Sequence, residues 1–132
     1  MSARGRIVVV DDDTEMNKAT SRLLQVAGFH PTAFLSAEDL LADGAAEGAA
    51  CLILDIHLPG MTGLELCRLL HGRGIVAPVI FITGYEDREM RAQARELGAI
   101  DFFAKPFAGS SLLGAVRRAL RESHENEPRD QG

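Results

Sequence analysis

The chain has 132 residues, of which 46% are hydrophobic and 25% charged, and its formal net charge is -5. This length and balance predict one globular domain with one core. Because Lys and Arg are interleaved with Asp and Glu, we expect no direct nucleic-acid binding. The apolar run after the basic N-terminus ends at Asp11, too soon for a signal-peptide core or a membrane span. We therefore expect a cytoplasmic protein with no membrane contact. Cys51 and Cys67 lie in apolar segments without paired spacing and are expected to be reduced, buried thiols.

Short apolar runs predict the strands. Residues 6–10, 51–55 and 78–83 are apolar on both faces, as parallel strands between two helical layers must be. Residues 30–34 and 99–104 are less apolar, and we expect these two strands at or near the edges of the sheet.

Segments of helical period separate these strands. Asp13 or Thr14 is expected to cap the first helix, which ends at Gly28. Ser36 and Asp39 resemble a capping box at the start of the second helix. The apolar stripe of the first helix consists of Met16, Thr20, Leu23, Leu24 and Ala27, and the later helices are predicted at residues 62–72, 86–97 and 110–123. The order βαβαβαβαβα predicts an α/β fold with an open parallel sheet and right-handed crossovers.

Polar side chains follow four of the predicted strands at their carboxyl ends. Asp11 and Asp12 follow the first strand, Asp55 ends the third, Thr83 ends the fourth and Lys105 follows the fifth. Ligands of open parallel sheets bind outside the carboxyl ends of the strands, where the strand order reverses. We therefore expect these five side chains to converge on one site.

The chemistry of this set points to phosphoryl transfer. Neighbouring carboxylates repel one another, which favours a bound cation, and Mg²⁺ prefers hard oxygen ligands together with phosphate oxygens. Asp11 and Asp12 would hold the ion while Asp55 acts as a carboxylate nucleophile. Lys105 would supply positive charge, and Thr83 a hydroxyl donor, to the oxygens of the transferred group.

Four segments carry a family resemblance: "VVVDDD", "LILDIHLPGMTGLEL", "PVIFITG" and "AIDFFAKPF". Together they resemble the receiver domain of two-component response regulators, over about residues 5–122. The resemblance implies a flavodoxin-like, doubly wound sheet with strand order 2-1-3-4-5. It also implies a signalling phosphoacceptor rather than an enzyme, one that assists its own phosphorylation and dephosphorylation. Residues 123–132 are then a polar tail or the start of a linker.

The resemblance also assigns roles at the site. Asp55 would take a phosphoryl group from the phosphohistidine of a sensor histidine kinase. Mg²⁺ would be held by Asp11, Asp12, Asp55 and the backbone carbonyl of His57. Lys105 would bind the phosphoryl group, and its peptide bond to Pro106 is expected to be cis, which costs only ~0.5–1 kcal/mol before proline.

Four residues would regulate the phosphorylated state. Thr83 would be the switch hydroxyl and Phe102 the aromatic switch residue, whose inward rotation changes the face formed by the fourth helix, fifth strand and fifth helix. That face would then bind a second copy or an output domain. His57 and Tyr85 are placed to flank the path of an attacking water and would slow dephosphorylation.

Other functions compete with this interpretation. "DDDTE" faintly resembles the nucleophile loop of haloacid-dehalogenase-like phosphohydrolases, with Asp11 as nucleophile, but this leaves Asp55 unexplained. A nucleotide-binding module would need a Gly-rich loop after the first strand. An unphosphorylated docking module is expected to lack part of the acid, Thr and Lys set. Within the response regulators, "FITGYED" and "FFAKPF" favour transcription-factor receivers of the nitrogen-fixation type.

Overall fold

Within residues 6–85 and 87–125, the part of the chain that this computed structural model describes, five parallel strands form one sheet in the order β2-β1-β3-β4-β5. The strands are β1 (Arg6–Val10), β2 (His30–Phe34), β3 (Cys51–Asp55), β4 (Val79–Thr83) and β5 (Asp101–Ala104). The helices are α1 (Thr14–Val26), α2 (Ala37–Asp43), α3 (Gly63–Gly72), α4 (Arg88–Glu96) and α5 (Gly109–Glu125). The predicted fold class and strand order are confirmed, and β2 and β5 are the edge strands as expected.

Alternate residues of the strands face two different helical layers, which is why the central strands are apolar throughout. On one face of the sheet, Ile7 and Val9 pack in a core with residues of α1 and α5. On the other face, Val8 and Val10 pack with residues of α2, α3 and α4. All five residues of β3 and all five of β4 are buried, including the polar residues that end them, Asp55 and Thr83.

The first helix differs in detail from its predicted stripe. Asp13 is its N-cap and accepts hydrogen bonds from two backbone N–H groups of the first turn, as expected. The buried residues of α1 are Asn17, Thr20 and Leu24, whereas Met16, Leu23 and Ala27 are only half-buried. The helix is therefore rotated so that an amide side chain, rather than Met16, faces the sheet.

Side chains fix where the other helices begin. Ser36 caps α2 by accepting from the N–H of Asp39. A reciprocal capping box, which the sequence analysis did not single out, starts α3: Thr62 accepts from the N–H of Glu65, whose carboxylate accepts from the N–H of Thr62. Asp87 caps α4, so that helix starts later than predicted.

Two predicted ends fall partly outside the described residues. The start of the fourth helix was predicted at Glu86, which is not described, and the proposed tail includes residues 126–132, which are not described either. The fifth helix runs to Glu125, two residues beyond its predicted end. No helix in the described part of the chain has the length and apolar character that a membrane crossing requires.

Both cysteines are free and buried, as predicted. Burial raises the pKa of the Cys51 thiol, and it raises the pKa of the Cys67 thiol to about 11, with a small opposing effect of Arg68. A thiol with so high a pKa is not ionised near neutral pH. Cys51 and Cys67 therefore serve as small core residues.

Candidate functional site

Three carboxylates meet at the carboxyl ends of β1 and β3. The parallel register pairs Val10 with Leu54, so the residues that follow them, Asp11 and Asp55, lie side by side. Oxygens of Asp11, Asp12 and Asp55 lie within 4.8 Å of one another. Asp11 and Asp55 are buried and Asp12 is exposed. The structure therefore brings together the acidic cluster that the sequence predicted.

Lys105 enters this cluster from the end of β5. Its Nζ lies 2.8 Å from Oδ2 of Asp55 and 3.2 Å from Oδ2 of Asp11. Burial alone would lower the pKa of Lys105, but the hydrogen bond to Asp55 and the charges of Asp55 and Asp11 outweigh it, so the pKa is raised. The Lys105–Pro106 peptide bond is cis, as the family resemblance implied. Lys105 is thus a permanent cation between two buried acids.

Asp11 is the most perturbed acid of the site. Its pKa is raised to about 6, mainly by burial and further by the charge of Asp55, against the opposing effects of the Asp13 N–H and Lys105. Oδ1 accepts from the N–H of Asp13 at 3.0 Å, whereas the buried Oδ2 accepts no hydrogen bond. A buried carboxylate oxygen that accepts no hydrogen bond and has the Lys105 ammonium, 3.2 Å away, as its cationic neighbour fits a hard cation such as Mg²⁺.

Asp55 is held at both oxygens. The backbone N–H of His57 donates to Oδ1 at 2.8 Å, and Lys105 donates to Oδ2 at 2.8 Å. Its backbone is fixed by α3, because the N–H of Gly63 donates to the carbonyl of Ile56 at 2.9 Å. A Cβ at position 63 would overlap the carbonyl oxygen of Asp55. The sequence gives no signal for this close approach of Gly63 to Asp55.

Thr83 ends β4 at the same edge of the sheet, and its hydroxyl is hydrogen-bonded to the backbone of Tyr85. It donates to the backbone carbonyl of Tyr85 at 2.7 Å and accepts from the N–H of Tyr85 at 3.1 Å. Nε2 of His57 lies 3.0 Å from the same carbonyl, and the His57 and Tyr85 rings are 6.3 Å apart. The loop after β4 is therefore tied both to Thr83 and to the loop after Asp55.

Phe102 lies on β5 and is only 7% exposed. It belongs to the core between the sheet and α2–α4, and the Arg91 guanidinium lies 4.6 Å from the centre of its ring. The family resemblance implies an inward rotation of this ring. Since the ring is already buried, any such movement would repack it under Arg91 rather than remove a large apolar surface from water.

Asn17 is a residue of this region that the sequence analysis missed. It is 4% exposed, and its Nδ2 donates to the backbone carbonyls of Asp11 and Phe34, both at 2.9 Å. The spacing of Asn17, Thr20 and Leu24, three and four residues apart, is the signal that places it on the buried face of α1.

Residues 7–117 match the protein family described as response regulator receiver domain. The chain belongs to this family. It is 42% identical over 125 residues to the response regulator protein TmoT of Ectopseudomonas mendocina, covering 92% of this chain and 57% of that protein. It is 37% identical over 117 residues to the transcriptional regulatory protein FixJ of Azorhizobium caulinodans, covering 89% of this chain and 56% of FixJ.

Solved receiver domains have the same fold. A CheY-like receiver domain protein from Methanospirillum hungatei superimposes with a TM-score of 0.84 at 30% identity, covering 92% of this chain and 98% of that one. The receiver fold therefore accounts for nearly all of the described residues. The chain spans less than three fifths of the length of TmoT and FixJ.

Proposed function

We propose that this receiver domain accepts a phosphoryl group on Asp55 from a sensor histidine kinase. The observation that carries the proposal is the buried contact of Lys105 Nζ with Oδ2 of Asp55, at 2.8 Å, inside a cluster of three carboxylates. Mg²⁺ would be held by Asp11, Asp12, Asp55 and the backbone carbonyl of His57, and would neutralise charge on the transferred group.

The contacts of Asp55 support this transfer. One carboxylate oxygen attacks the phosphorus of phosphohistidine, an O–P bond forms, and the P–N bond breaks with the electron pair leaving on the imidazole. The His57 N–H and Lys105 keep the carboxylate in one orientation, so the attack starts from a fixed geometry. Lys105 then offsets the negative charge on the phosphoryl oxygens.

Phosphorylation would change the conformation of the domain through Thr83 and Phe102. A phosphoryl group adds roughly two negative charges and strong acceptor oxygens. Thr83 would turn its hydroxyl from the Tyr85 carbonyl to one of those oxygens, and the loop after β4 would move with it. Phe102 would then repack beneath Arg91. In the same proposal His57 and Tyr85, both exposed beside the site, shield the phosphoryl group from water.

The face of α4, β5 and α5 would bind the downstream partner. It carries several arginines among acids, and one of them, Arg118, pairs with Asp101 across β5 and α5 at 2.6 Å. The partner would be a second copy of the chain or an output domain. The chain covers little more than half of TmoT and FixJ, and its similarity to the transcriptional regulatory protein FixJ supports the proposal that it is the receiver of a transcription factor. We place this signalling function in the cytoplasm, without direct nucleic-acid or membrane binding by this domain.

Intact-mass spectrometry tests the proposal. With Mg²⁺ and acetyl phosphate as donor, the parent protein should gain the mass of one phosphoryl group, and chelating Mg²⁺ should prevent the gain. Asp55→Asn should gain nothing, whereas Asp43→Asn, an exposed acid on α2, should behave as the parent does. Undiminished phosphorylation of Asp55→Asn would refute the proposal.

A further inference from the structure

Asn17 is a buried amide on α1 at the point where two strands end. Its Nδ2 donates to the carbonyl of Asp11, just after β1, and to the carbonyl of Phe34, the last residue of β2. Burying an amide is unfavourable unless its hydrogen bonds are made, and both N–H donors of this amide have a backbone partner. An apolar residue would fill the same position on the buried face of α1 without that requirement. The polar side chain therefore calls for an explanation beyond packing.

The Asp11 carbonyl belongs to the peptide group that joins Asp11 to Asp12. Its orientation sets the direction in which both side chains leave the backbone. Asp12 is exposed, so its direction depends on this peptide more than on packing. The Asn17 amide thus donates to backbone carbonyls rather than to either carboxylate, and it restrains the backbone that carries both acids.

Strand pairing does not require this contact. The N–H of Asp11 already donates to the carbonyl of Phe34 at 3.1 Å, which joins the ends of β1 and β2. The carboxylate of Asp11 is held separately, by the N–H of Asp13. The additional effect of Asn17 is to fix the orientation of the peptide group between Asp11 and Asp12.

We propose that Asn17 is a positioning residue for the divalent-cation site, acting through the Asp11–Asp12 peptide group. The inference rests on the proposed function, because it assumes that these acids bind Mg²⁺. Groups that orient metal ligands without touching the metal commonly contribute about tenfold to a hundredfold to metal affinity. Loss of the amide should therefore weaken Mg²⁺ binding more than it disturbs the fold.

The experiment measures the Mg²⁺ dissociation constant by calorimetry in the parent protein, Asn17→Ala and Asn17→Ser. Asn17→Ala should raise the dissociation constant about tenfold or more. Asn17→Ser keeps one short donor and should lie between the two. In metal-free protein, hydrogen exchange of the Asp13 N–H should be faster in Asn17→Ala, because the loop that carries Asp11 and Asp12 is no longer fixed.

Leu24→Ala is the control for a purely structural effect. Leu24 is fully buried on the same face of α1, but its apolar side chain cannot hydrogen-bond to the Asp11–Asp12 peptide group. Leu24→Ala should therefore lower the free energy of unfolding without changing Mg²⁺ affinity. Equal Mg²⁺ affinity in the parent and in folded Asn17→Ala would overturn this inference and leave the proposed function intact. Unfolding of both Asn17 variants would also overturn it, by making the role structural. Absence of Mg²⁺ binding in the parent would overturn both proposals.

Discussion

The hydroxyl of Thr83 donates to the backbone carbonyl of Tyr85 at 2.7 Å, and the N–H of Tyr85 donates back to that hydroxyl at 3.1 Å. Thr83 is fully buried, so water does not compete readily for these bonds. If Thr83 is to donate to a phosphoryl oxygen on Asp55, its bond to Tyr85 must break first. The position of the loop after β4 is therefore coupled to the direction of one hydroxyl group.

Removing that hydroxyl should separate phosphorylation from the conformational response. With the phosphoryl mimic beryllofluoride, amide NMR signals of Tyr85 and Phe102 should shift in the parent protein and shift far less in Thr83→Ala. Thr83→Ser keeps the hydroxyl and should respond as the parent does. Equal shifts in Thr83→Ala and the parent would show that the signal does not pass through this residue.

The metal-free protein should be destabilised by ionised Asp11. Its pKa is about 6 in the folded state against an ordinary value of 3.8, so the folded state binds the proton more tightly. The contribution of Asp11 to the free energy of unfolding should therefore fall as pH rises between these two values. Above about pH 6 the buried charge should lower that free energy by on the order of 3 kcal/mol. Asp11→Asn should thus be more stable than the parent near neutral pH, with the difference vanishing towards acid pH.

Urea unfolding with a chelator present measures this difference. Adding Mg²⁺ should cancel most of it, since an ion at about 100 times its dissociation constant contributes roughly 2.7 kcal/mol to the parent protein. Asp11→Asn should gain much less from Mg²⁺. If Asp11→Asn is less stable than the parent near neutral pH without metal, the ionised carboxylate of Asp11 does not destabilise the metal-free fold and this prediction is wrong.

The lifetime of the phosphoryl group should depend on two exposed side chains. His57 and Tyr85 lie beside the site with their rings 6.3 Å apart, and both are bulky. His57→Ala and Tyr85→Ala should each speed hydrolysis of phosphorylated Asp55 several-fold, because water reaches the phosphorus more easily. The decay of the added mass after removal of the donor gives the rate. Val76→Ala, another exposed bulky residue, should leave it unchanged, and unaltered decay in the two site variants would rule out shielding.

Gly63 should tolerate no side chain. A Cβ there would overlap the Asp55 carbonyl oxygen, so Gly63→Ala should shift the loop after β3 and lower stability by ~1–3 kcal/mol or more. It should also slow phosphorylation, because Asp55 moves relative to Lys105. Gly72→Ala on the same helix meets no atom within 4 Å and should be neutral or slightly stabilising. Chemical unfolding and the rate of mass gain distinguish the two, and wild-type behaviour of Gly63→Ala would contradict the close approach.

The sequence predicted the sheet well because its signals are local. Continuous apolar runs mark the buried strands. Asp11 follows β1 and Asp55 ends β3, and these two strands pair in the expected order. Helix ends were less accurate, since they depend on which polar side chain caps the backbone. Asp87 caps α4, which therefore begins two residues later than predicted. The capping box of Thr62 and Glu65 fixes the start of α3.

The missed residues depend on contacts between distant segments. Asn17 matters because α1 places it over the ends of β1 and β2, and Gly63 matters because α3 begins against the carbonyl of Asp55. The direction of the Thr83 hydroxyl and the burial of Phe102 also depend on side-chain packing. Spacing along the chain does not encode these distances, although it does place Asn17 on the buried face of α1.

Locating the phosphoryl group on the chain tests the central claim most directly. Borohydride reduces the acyl phosphate of phosphoaspartate to homoserine, which marks the site, and trypsin separates residues 7–18, with Asp11 and Asp12, from residues 23–68, with Asp55. After reaction with acetyl phosphate and Mg²⁺, tandem mass spectrometry should find homoserine at position 55. Homoserine at position 11 or 12 would contradict the account and favour Asp11 as the nucleophile of a phosphohydrolase.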